Sequence, residues 1–278
     1  MHFSYLQRRM IKWRNIRVEE GFTLIELSVV IVIIGLIVAG VVGGGKLVEQ
    51  TKLRSIISDV EKFDTAYNTF RLEYNALPGD MSNASNYWPG IQNGNGDKNI
   101  VSPNNSGNGH DGECWNFWVH LGQNASELLP APYTTVGVST NMTETERERV
   151  LPLSDMGSHW GVYNRLQWQG HQYVLGASDS SWGNYGVAPS LTPKQTFSVD
   201  NKIDDGIPAT GWVIVEGYVG VNNTLHWHSS LPHNPSYAQI PTSGNCTASG
   251  AASYDDTAQY NVGFDEVTCV PVFRYRGY

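Results

Sequence analysis

The stretch GFTLIELSVVIVIIGLIVAG, residues 21–40, decides how the chain is read. From Phe22 to Gly45 every side chain is uncharged except that of Glu26. At roughly 1.5 Å per residue, a helix over 22–45 crosses the ~30 Å hydrocarbon core of a bilayer. No other segment is long and apolar enough to do so. A carboxylate in such a run costs on the order of 3 kcal/mol, so Glu26 calls for a functional explanation.

Outward from this stretch, the charges give a direction. Arg8, Arg9, Lys12, Arg14 and Arg17 precede it, against Glu19 and Glu20. Lys46, Lys52 and Arg54 follow. The excess on the leading side favours a cytoplasmic N-terminus and a body beyond the membrane. A disposable secretory signal has a shorter apolar region and a small-residue cut site at its far end. The VAG at 38–40 imitates one, but such a signal has no use for a carboxylate at position 26.

The run EEGFTLIELSVVIVIIGLIVAG resembles the N-terminus of type IV pilins and of the pseudopilins of type II secretion. The family pattern is a basic leader, a glycine, a phenylalanine, then TLIEL and an apolar helix. Gly21 matches the last leader residue, Phe22 the first mature residue and Glu26 the family glutamate. The leader, residues 1–21, is longer than many, and Met10 offers a second start that would shorten it. The resemblance implies cleavage between Gly21 and Phe22 by a prepilin peptidase, which would also N-methylate Phe22. Glycine suits a tight cleft because it has no side chain. It further implies that Glu26 meets the N-terminal amine of a neighbouring subunit during assembly. A buried charge without a partner is unfavourable, whereas a buried pair is tolerated.

Beyond the membrane segment the helix is expected to continue to residue 77. Leu53, Ile56, Ile57, Val60, Phe63, Tyr67, Phe70, Tyr74 and Leu77 form an amphipathic stripe over 46–77. Pro78 and Gly79 in LPGD stop it. Gly40, Gly43, Gly44 and Gly45 interrupt good helix formers at about 1 kcal/mol each. They read either as a close-packing face between helices or as a weak point that unwinds on assembly.

Residues 78–278 form the expected head, outside the cytoplasm. Strand signals lie at 171–177, 211–220 and 266–276, a short helix at 115–129, and a charged surface segment at 144–150. The fold class is therefore α+β: a long N-terminal helix, membrane-spanning in its first half, laid on an antiparallel sheet, as in pilins. The chain carries a net −8, with its basic excess confined to the leader, so nucleic acid is not an expected partner. The expected partners are other pilin or pseudopilin subunits, the peptidase–methyltransferase, the inner-membrane assembly platform and the bacterial inner membrane itself.

Three cysteines leave at least one unpaired. Cys114, among aromatics, reads as a buried thiol. Cys246 and Cys269 could close a modest loop in an oxidising compartment, and the resemblance places a disulfide-closed loop in that region of the head. Asn93, Asn95, Asp97 and Asn99 alternate in NGNGDKN, and Asp200, Asp204 and Asp205 cluster in DNKIDDG. Each set reads as a glycine-closed turn or as part of a calcium site. No cofactor is required by either reading. His226 and His228 flank Trp227 without further ligands at motif spacing. The tryptophans after residue 80 read as head core or as a sugar-binding platform. No nucleophile elbow, zinc-protease helix or phosphate loop is present in the sequence. The chain therefore reads as a structural pilus or pseudopilus subunit and not an enzyme. An adhesive tip subunit and a membrane-tethered periplasmic enzyme are the alternatives.

Overall fold

A computed structural model describes residues 21–100, 112–134, 144–165, 170–177, 189–216, 246–248 and 257–275. His226, His228 and the leader up to residue 20 lie outside the described residues. The elements follow in the order α1 (Leu24–Tyr74), α2 (Ala84–Tyr87), α3 (Glu113–Leu121), α4 (Glu144–Val150), β1 (His159–Arg165), β2 (Gly170–Gly176), α5 (Pro193–Ile203), β3 (Val213–Glu216) and β4 (Val270–Arg274). The architecture is α+β and pilin-like: one long apolar N-terminal helix and a small antiparallel sheet.

The chain divides into two compact units, residues 1–48 and Glu49–Tyr278. In the first, every described residue is exposed except half-buried Gly44. Its side chains supply a helix long and apolar enough to cross a membrane, with no core of its own. The glycine run there leaves open space where a Cβ would stand.

In the second unit the apolar stripe of α1 becomes the spine of the core. Leu53, Ile56, Val60, Phe63, Tyr67 and Phe70 are buried at helical spacing. Phe63 meets Trp118, Trp160 and Tyr173 with ring centroids 4.9, 5.4 and 5.5 Å away. Tyr67 packs on Tyr275 at 4.5 Å. The sheet order is β1-β2-β4-β3, antiparallel throughout. Trp160 and Val162 of β1, Tyr173 and Leu175 of β2 and Val272 of β4 are buried. Trp115, Trp118 and Trp160 thus belong to the core, while Trp212 is exposed.

Several expectations shift in detail. The helix expected over 115–129 runs from Glu113 to Leu121 and stops at Gly122. There the chain turns back so closely that a Cβ on Gly122 would sit 2.8 Å from the Ala131 carbonyl oxygen. The segment expected as plain surface at 144–150 is helix α4, and it buries Arg147 and Val150. In the third strand region, among the described residues, the strand runs Val270–Arg274, and Cys269 makes an isolated bridge to Leu191. β1 and α5 carried no expectation. Yet α5 has a readable start, with Pro193 at its first position and a capping box between Thr192 and Gln195.

Candidate functional site: the N-terminal helix start and the acidic turn

The N-terminal site is built by the first turn of α1. Gly21, Phe22 and Thr23 are not helical, and the helix begins at Leu24. Thr23 Oγ1 accepts from the Glu26 N–H at 3.3 Å, and Glu26 Oε2 accepts from the Thr23 N–H at 2.8 Å. The Thr23 hydroxyl also donates to Oε2 at 2.7 Å. This is a capping box over T-L-I-E, which satisfies two otherwise orphaned helix-end donors. It also gives Glu26 a hydrogen-bonded place at the positive end of the helix.

The box has a second consequence. It ends the helix at residue 24, so the Gly21–Phe22 bond lies in exposed, non-helical chain just before it. A peptidase needs such a segment, since helical backbone cannot be drawn extended through a catalytic cleft. Phe22 is 91% exposed. Thr23 was not singled out from sequence, although the [ST]-x-x-[DE] spacing was there to be read.

A family model described as the prokaryotic N-terminal methylation motif matches residues 16–42. The match places a prepilin-type methylation motif at the N-terminus. The match supports membership of the type IV pilin and pseudopilin family and covers the helix start, Glu26 and most of the apolar segment. Neither the comparison with curated proteins nor that with solved structures returned a match.

In the unit Glu49–Tyr278, the acidic turn after α5 does gather. Oxygens of Asp200, Asp204 and Asp205 all lie within 4.8 Å of one another. Asp200 is buried and accepts from the Gly206 N–H at 3.2 Å and the Tyr260 hydroxyl at 2.8 Å. Asp205 accepts from the Ile207 N–H and the Thr210 hydroxyl, and Asp204 from the Trp212 N–H. Burial raises the Asp200 carboxyl to about 7, and the nearby Asp205 and Asp204 charges add to the rise. Tyr260 lies far away in sequence and could not have been assigned to this turn from spacing alone.

The other candidate loop is organised around a residue not singled out before. The buried Asp80 carboxylate accepts from the N–H groups of Gly96, Asp97 and Lys98 at 2.7, 3.1 and 2.8 Å. Asn93 Oδ1 accepts from the Ser85 N–H, Asn95 Oδ1 from Asp97 N–H, and Asp97 Oδ1 from Asn99 N–H, each at 2.8 Å. The Asn93, Asn95 and Asp97 side chains thus order a turn whose main-chain amides face the Asp80 carboxylate.

Cys246 and Cys269 form a disulfide with their Cα atoms 5.2 Å apart. Cys114 is a free, buried thiol whose ionisation burial strongly opposes.

Proposed function

We propose that the chain is a structural subunit of a type IV pilus or a type II secretion pseudopilus. Residues 1–21 form the leader, 22–45 the membrane and filament-core segment, 46–77 its amphipathic continuation and 78–278 the head outside the cytoplasm. A prepilin peptidase cuts between Gly21 and Phe22 and methylates the new Phe22 nitrogen. Subunits then leave the inner membrane through an assembly platform, with Glu26 pairing with a neighbour's N-terminal amine. The observation that carries this reading is the coincidence of the methylation motif with a capping box at the same residues. The test is mass spectrometry of the N-terminus of membrane-purified protein. A chain beginning at methylated Phe22 supports the reading. One that begins near residue 41, or keeps its leader, overturns it and favours a membrane-tethered periplasmic enzyme.

For the head, calcium is proposed at Asp200, Asp204 and Asp205. Oxygens sharing one calcium at about 2.3–2.6 Å from each lie up to about 5 Å apart, which the 4.8 Å cluster meets. Burial is the main cause of the raised Asp200, and a divalent cation would offset the Asp205 and Asp204 charges that add to it. Calcium-dependent thermal stabilisation that is lost in Asp204→Asn supports the site, and stabilisation that survives it does not.

A further inference from the structure

The loop held by Asp80 contains two asparagine–glycine steps, Asn93–Gly94 and Asn95–Gly96. In a flexible chain Asn–Gly is the step most prone to deamidation, because glycine puts no side chain around its amide nitrogen. That nitrogen loses its proton and attacks the asparagine Cγ. The new C–N bond closes a succinimide and Nδ2 leaves as ammonia. Water then opens the ring to aspartate or isoaspartate, and water is the only co-reactant.

Packing makes both glycines obligatory. A Cβ on Gly94 would lie 2.4 Å from the Cα of Asp80, and Gly96 has φ +80°. The fold therefore has to restrain the reaction without removing the sequence that invites it. The Gly96 N–H donates to Asp80 Oδ1 at 2.7 Å and to the Asp80 main-chain oxygen at 2.9 Å. Deprotonation there would set an amide anion against a buried carboxylate, and like charges repel strongly away from water. The Gly94 N–H donates to the Met81 carbonyl at 2.9 Å. The carboxamides are held as well. Asn93 Oδ1 is engaged by Ser85, and Asn95 is engaged by Asp97 through both Oδ1 and Nδ2.

We infer that Asn93 and Asn95 are latent deamidation sites kept closed by the fold, and that Asp80 is the positioning residue that withholds the Gly96 nitrogen. The full-length chain in detergent is incubated at mildly alkaline pH, folded and in guanidinium. Both asparagines are followed by peptide mass mapping that separates isoaspartate. Deamidation in the folded chain is expected to be at least about tenfold slower at both, since it must wait for local opening. Equal rates in the two states overturn the inference. In Asp80→Asn, verified as folded by circular dichroism, the initial rate at Asn95 is expected to rise several-fold more than at Asn93. A matched rise at both sites overturns the role of Asp80. Should that variant fail to fold, amide exchange of Gly96 in the unaltered protein decides. Strong protection supports the inference, and exchange at the rate of an unstructured chain overturns it.

Discussion

Thr23 and Glu26 satisfy each other across the first turn of α1, so the glutamate is not bare at the membrane-entry end of the helix. Thr23→Ala is expected to cost about 1 kcal/mol of helix-end stability, visible as faster amide exchange at residues 24–26 in micelles. Glu26→Ala is expected to be cut normally yet left out of filaments. Immunoblots of sheared filaments and N-terminal mass spectrometry check this, and normal incorporation would remove the proposed pairing. In the head, Asp200 is raised to about 7 from an ordinary 3.8. Its folded form holds a proton more tightly than the unfolded chain. Asp200 alone therefore makes stability fall as pH rises from about 4 to about 7. His120 and His171 are lowered by burial to about 4 and act in the opposite direction, losing stability as pH falls from 6.5. The cleanest measurement is the difference between the unaltered protein and Asp200→Asn. The variant's relative stability should rise with pH across that window, read from urea midpoints.

At the scale of elements, α1 carries the head's core on one stripe. Phe63 sits where Trp118, Trp160 and Tyr173 converge. Phe63→Ala is expected to cost about 3–5 kcal/mol in chemical denaturation. The stripe was legible because helical spacing alone puts Leu53 to Phe70 on one face. The end of α3 was not legible. Residues 123–129 have an acceptable helical composition, but the return of the chain at Ala131 leaves no room to continue past Gly122. β1 was missed for a related reason. Its alternation of Trp160 and Val162 is short, and it becomes a strand because β2 pairs with it along its whole length.

For the molecule as a whole, the disulfide ties the segment at Cys246 to the stretch just before β4. Its loop spans 23 residues. Reduction is expected to lower the head's stability by about 2–4 kcal/mol while leaving most helical circular dichroism in place. Cys114 should not react with thiol reagents until the head unfolds, since it is buried and its thiolate is disfavoured. Early labelling of Cys114 under native conditions would contradict that packing.

By itself the sequence determined the membrane-length helix, its methylation motif and the stripe that becomes the core. These rest on local composition and on spacing along one helix, which neighbours in the chain encode. Tertiary structure alone decided that Asp80 gathers the amides of a loop well downstream, that Tyr260 closes the acidic turn of Asp200, and that β1 joins the sheet. The Asp80 and Tyr260 pairings join residues well separated in the chain, and β1 is held by β2 beside it. They form because each buried polar group must find a partner, and no periodicity records which partner will be brought within reach.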